Sequence, residues 1–170
     1  DTVAKDSSPA TTAAAGSRDN TPVVLTGSAD GTVTYGNDSV TVDASHTEEG
    51  YLMVSYSGSN SKVKLQITGS DEITYTYNLH DGYETFPLTS GSGSYTVGVF
   101  ENIEGTSYST LFTQAIDVTI QDEFGPYLYA NQYVNFSADS KVISKAMELS
   151  ASANDDLEVI ENVYNYIITN

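Results

Sequence analysis

Between Val23 and Ile120 the chain runs in short stretches that alternate apolar and polar residues, broken roughly every 8–12 residues by Gly, Asn, Asp or Ser. Successive side chains of a strand point to opposite faces, so this period of two points to antiparallel sheets closed into a sandwich or barrel. Candidate strands cover 23–25, 32–35, 40–43, 51–57, 63–68, 73–79, 83–87, 95–100 and 111–120. In 51–57, Leu52, Val54 and Tyr56 share one face, with Tyr51, Met53 and Ser55 opposite; in 63–68, Val63, Leu65 and Ile67 face away from Lys64, Gln66 and Thr68. The turns Gly58-Ser59-Asn60-Ser61 and Gly69-Ser70-Asp71 are short enough to join 51–57, 63–68 and 73–79 into a meander.

Composition narrows the function classes. The 23 Asp and Glu outnumber 6 Lys and Arg, leaving a formal charge of −17. Such a surface repels polyphosphates, so nucleic acid and anionic membranes are set aside as partners. With no Cys, disulfides, thiolate metal sites and a cysteine nucleophile are excluded within these residues. No apolar run approaches the ~20 residues that cross a bilayer, so no membrane insertion by this chain is expected. The chain opens on Asp1 without a basic and apolar leader, as after removal of a signal. Acidic chains free of Cys and rich in Ser, Thr, Asn and Tyr suit a Gram-positive cell surface.

Four regions follow. Residues 1–21 read as a flexible Ser/Thr/Ala-rich tether, because they carry too little apolar area to offset ordering entropy. Residues 22–120 form the sheet module. Residues 121–137 are an aromatic-rich connector whose Pro126 forbids a helix. Residues 138–170 carry two helical patterns. The first places Val142, Ala146, Leu149 and Ala153 on one stripe with Asp139 as N-cap; the second places Leu157, Ile160, Tyr164, Ile167 and Ile168 on a stripe, with Asp155 and Glu158 in capping-box spacing. An apolar stripe of this kind needs something to lie against.

Within the sheet region, Tyr95 follows the Gly91-Ser92-Gly93-Ser94 turn and opens an alternating strand. This resembles the tyrosine corner of immunoglobulin-like sandwiches, whose phenol bonds back to the turn backbone. The fold expected is therefore mainly β: an immunoglobulin-like antiparallel β-sandwich followed by a short two-helix C-terminal segment. An ordinary strand-opening Tyr is the alternative reading of so short a pattern.

The stretch Asp155-Asp156-Leu157-Glu158 through Tyr164-Asn165-Tyr166-Ile167, preceded by Pro126-Tyr127-Leu128-Tyr129-Ala130-Asn131-Gln132-Tyr133-Val134, resembles the region that leads into the papain-like core of bacterial secreted transglutaminase-like proteins. Ala130 stands where that pattern has Pro. The resemblance implies a non-catalytic, extracellular or cell-surface accessory module. Its first partner would be its own downstream domain, which would supply the Cys, His and Asp triad. No catalytic residue carries over to this chain.

Other candidates are weighed individually. Tyr51, Tyr75 and Tyr77 could form an aromatic row that stacks a cell-wall glycan or meets a protein, or could simply pair across strands. His46 and His80 lack triad spacing and read as loop or strand-end residues. The acidic pairs Glu48-Glu49, Asp71-Glu72, Asp122-Glu123 and Asp155-Asp156 fall beside turns or helix starts, without a calcium-loop pattern, and read as solvated surface. No metal or other cofactor is expected.

Overall fold

The computed structural model describes residues 15–170; most of the stretch expected to be a tether lies outside them. The described residues fall into two compact units, Val24–Ser137 and a second made of 15–23 with Ala138–Asn170.

The larger unit is built from β1 (Thr34–Gly36), β2 (Val40–Asp43), β3 (Tyr51–Tyr56), β4 (Val63–Thr68), β5 (Thr74–Leu79), β6 (Gly82–Pro87), β7 (Gly93–Glu104) and β8 (Ser107–Val118). They pair antiparallel into two four-stranded sheets, in the orders β1-β2-β3-β6 and β5-β4-β7-β8. Alternation decides what goes inside. Val40, Val42, Leu52, Val54 and Phe86 from the first sheet and Leu65, Ile67, Tyr77, Val97, Val99 and Ile116 from the second join one buried cluster. Cross-strand register keeps like faces together, with Leu65 opposite both Tyr77 and Val99.

The expected meander is not formed. β4 and β5 make a hairpin, but β3 and β4 lie in different sheets, and residues 57–62 carry the chain across. Both edges of β3 are already paired, Val54 with Val42 on one side and with Glu84 on the other. The crossing loop is held by Asn60, whose backbone N–H donates to the Tyr56 hydroxyl at 3.1 Å and whose amide donates to the Asn102 carbonyl at 2.8 Å.

The aromatic-rich connector folds back onto the sheets. Tyr129 bridges Leu25 in parallel, the remnant of the strand expected at 23–25, and its ring lies 4.4 Å from that of Tyr51. Tyr133 approaches Tyr77 at 5.6 Å, and the Gln132 amide donates to the Asn78 carbonyl and to Glu84 at 2.6 and 3.0 Å. Pro126 does not forbid every helix here: it lies in a one-turn 3-10 helix, Gly125–Tyr127, at a position where its missing N–H is not needed. The buried ring packs on Gly50, whose φ of +88° and position leave a Cβ only 2.5 Å from Pro126.

In the smaller unit, α1 (Lys141–Ser150) and α2 (Asp156–Thr169) are joined by a short turn. Ser140, not Asp139, takes the N-cap position of α1, and Ala153 falls past its end. Asp155 caps α2, accepting from the Glu158 N–H at 2.9 Å, while Glu158 reaches back to the Asn154 N–H at 2.7 Å. The tether reading fails for its described part. Gly16 N–H donates to Ala151 O at 3.0 Å, Ser17 N–H to Asn154 at 3.1 Å, and Arg18 pairs with Asp156 at 2.7 Å. These contacts satisfy carbonyl and amide groups around the α1–α2 turn, which the low hydrophobicity of the segment did not reveal.

Candidate functional site

The aromatic row does not exist as a surface. Tyr51 belongs to the β1-β2-β3-β6 sheet, whereas Tyr75 and Tyr77 belong to the other. Tyr51 and Tyr77 are 2% and 5% exposed, and Tyr75, at the strand start, is 44% exposed. The pleat turns Tyr77 into the core, where its ring meets Phe86 edge-on at 5.0 Å, and burial together with Tyr133 and Tyr75 pushes its phenol up to about 12. Tyr51 and Tyr77 are buried and offer no open face for stacking, which leaves Tyr75 as the one exposed ring of the three.

Tyr95 is buried, and its hydroxyl donates to the Gly91 carbonyl at 2.8 Å. Burial raises its pKa. Gly91 has φ +72°, so the turn preceding β7 is closed by a left-handed residue and locked by the phenol.

Around Tyr51 the structure gathers groups that sequence spacing did not connect. His46 lies between two carboxylates: Nε2 is 2.9 Å from Asp30 Oδ2 and Nδ1 is 3.1 Å from Glu49 Oε1. Its ring stacks on Tyr51 at 5.3 Å with planes 10° apart. Tyr129 donates a short hydrogen bond to Glu49, and the Tyr51 hydroxyl accepts from the Ser28 N–H at 3.3 Å. Beneath them Asp43, 2% exposed, accepts from the N–H groups of Gly31 at 2.7 Å and Ser45 at 2.9 Å. Burial alone would lower the His46 pKa, but its hydrogen bonds to Glu49 and Asp30 outweigh that and raise it. The Tyr129 hydrogen bond comes first in holding Glu49 down, with His46 adding to it against the cost of burial. In Asp43 burial is the largest influence and acts upward, yet the Ser45 and Gly31 hydrogen bonds prevail and its pKa is lowered.

Ser28 Oγ is 3.2 Å from His46 Nε2, so Ser28, His46 and Glu49 line up in the order of a nucleophile, a base and its orienting acid. The electrostatics oppose that chemistry. With a carboxylate at each ring nitrogen the imidazolium is favoured, and it has no lone pair to take a proton from Ser28. The same opposed placement keeps Asp30 and Glu49 from converging with His46 on one point, and no metal-holding group of three is found among the described residues. The cluster is a clasp that joins 28–31, the Thr47–Glu49 turn and Tyr129. The i,i+3 spacing of His46 and Glu49 was legible in the sequence; the arrival of Asp30 and Tyr129 was not.

His80 is mostly exposed and donates its backbone N–H to Glu84 at 2.8 Å, with its ring 3.1 Å from the same carboxylate. Glu48 accepts from Gln121 at 2.7 Å, and the other acidic pairs remain solvated or cap turns.

Among the described residues, α2 carries a stripe of exposed apolar side chains. Leu157, Ile160, Tyr164, Ile167 and Ile168 are each at least 60% exposed, and Val142 and Met147 of α1 are also open to solvent. Five large side chains on one stripe represent several kcal/mol of burial, at about 1.5–3 kcal/mol each.

Comparison with protein-family models, with curated proteins and with solved structures finds no match.

Proposed function

We propose that the chain is a non-catalytic accessory module of an extracellular or cell-surface protein, and that α2 seats a following transglutaminase-like domain. The open apolar stripe of α2 carries this reading. A charged, soluble chain gains nothing by leaving such a stripe in water, whereas a domain docked on it recovers that burial energy. The resemblance over the connector and α2 supplies the kind of domain.

The β-sheet module, on this reading, is an immunoglobulin-like sandwich that serves as spacer or interaction platform. Its strand orders suit a Greek-key crossover between sheets, with the loop after β3 changing sheet and the strand after the Tyr95 turn sitting at the centre of the second. The Tyr95 hydroxyl on Gly91 supports the same assignment. A sandwich of this kind hosts many activities, so the function rests on α2 rather than on the fold.

The test uses the following domain made separately. Mixed with the parent chain it should form a complex by analytical ultracentrifugation, and Ile160→Glu together with Ile167→Glu should abolish it without unfolding an exposed face. Complex formation that survives both substitutions would refute the assignment.

A further inference from the structure

At one end of the sandwich a cleft of 510 Å³ opens between the turn after β6 and the segment after β8. Its size suits a small group rather than a whole domain face. Thr89, Gly91 and Ser92 form one wall; Asp122, Glu123, Phe124 and Tyr127 form the other. Phe124 is 62% exposed and Tyr127 66%, although both stand on backbone that is held firmly.

The support is specific. The Phe124 N–H donates to Asp122 Oδ1 at 3.0 Å and the Gly125 N–H to the Asp122 carbonyl at 2.9 Å. Gln121 is tied to Glu48 through its backbone N–H at 2.9 Å and its side-chain amide at 2.7 Å. Gly125 lies so near Glu49 that a Cβ would come 2.4 Å from its carbonyl oxygen, and Pro126 beside it is buried. Two aromatic rings are thus presented to solvent by a rigid turn, which removes much of the ordering cost of binding.

The polar equipment of the cleft is one-sided. Asp122 and Glu123 contribute negative charge, and no Lys, Arg or His lines it. Aromatic faces beside carboxylates recognise a planar cation, which can stack on a ring while its N–H groups pair with oxygen. A neutral sugar would call for side-chain donors as well, and here only hydroxyl groups and the Gln121 amide, already given to Glu48, could supply them. The chain's charge of −17 would also draw basic partners toward this end.

We propose that this cleft binds an arginine guanidinium of a basic protein partner, stacked on Phe124 and paired with Glu123, because Asp122 Oδ1 is already engaged by the Phe124 N–H. The site lies apart from α2 and stands independently of the accessory reading. The probe is a capped tri-arginine peptide titrated into the full chain and followed by amide NMR shifts, with a capped tri-glutamine peptide and a chito-oligosaccharide as neutral comparators. Shifts should concentrate in 89–92 and 120–127. Phe124→Leu, which keeps the apolar bulk but removes the ring, and Glu123→Gln should each weaken binding about tenfold or more. Glu104→Gln, at an exposed strand end, should leave the Kd unchanged. Shifts spread over the whole acidic surface with equal Kd in all three variants, an absence of peptide binding, or neutral-sugar binding in the cleft with the peptide silent would each overturn the proposal.

Discussion

Replacing Tyr95 by Phe removes one oxygen and leaves the ring, which is the reason the substitution isolates a single interaction. The ring is 1% exposed and stays packed in the core. What is lost is the hydrogen bond to the Gly91 carbonyl at 2.8 Å. Gly91 itself is exposed, so water can take over the freed carbonyl and the cost is the net worth of one hydrogen bond, about 0.5–1.5 kcal/mol, rather than that of a stranded buried group. For a domain of about a hundred residues, 1 kcal/mol lowers Tm by roughly 4–8 °C. Urea unfolding followed by near-ultraviolet circular dichroism should show a lower midpoint with the m-value unchanged. Tyr95→Ala, which empties core volume, should cost about 3–5 kcal/mol. A Tyr95→Phe chain as stable as the parent would refute the view that the phenol fastens the turn. A loss as large as that of Tyr95→Ala would show that the ring had moved.

Other consequences are separable. His46 has a pKa that burial would lower but that its hydrogen bonds and attraction to Glu49 and Asp30 raise. Its stabilising contribution is therefore complete below the ordinary histidine value of 6.5 and lost as pH rises through the higher folded value. His46→Gln should accordingly be less stable than the parent near about pH 6, with the difference narrowing as pH rises through the folded value in parallel thermal melts; a gap that widens with pH would contradict the clasp. Glu49 acts with the opposite sign, its lowered pKa contributing stability that is lost as pH falls through the folded value. Gly125→Ala places a methyl against the Glu49 carbonyl and should cost roughly 1–3 kcal/mol in urea unfolding. Asp155→Ala removes the cap on Glu158 N–H and should cost about 1 kcal/mol, seen as faster amide exchange in the first turn of α2.

Much of the sheet architecture could be read from period two. The range 63–68 was recovered residue for residue as β4, because one face is wet and the alternation is unbroken. Strand partners were harder. A short polar loop after β3 has the composition of a hairpin, and nothing local says that both edges of β3 are occupied by strands far along the chain. The aromatic row failed for a related reason: Tyr51 and Tyr77 occupy inward or covered positions, and a phenol is compatible with either side of a pleat. The connector's aromatic content is visible in the sequence, but not that Tyr129 and Tyr133 would pack beside Tyr51 and Tyr77. The helices were legible from their stripes; the α2 cap Asp155 matches, whereas the α1 cap is Ser140 rather than the neighbouring Asp139. The His46 clasp draws on residues from 28 to 129, a range over which spacing carries no information.

Hydrogen exchange along α2, measured on this chain alone and on the same chain continued into the proposed transglutaminase-like domain, decides whether α2 seats that domain. Amides of 156–169 should exchange readily in the first and be strongly protected in the second, with protection lost in Ile160→Glu. Identical exchange in the two proteins would mean that the stripe of Leu157, Ile160, Tyr164 and Ile167 receives no domain, and the accessory reading would fall.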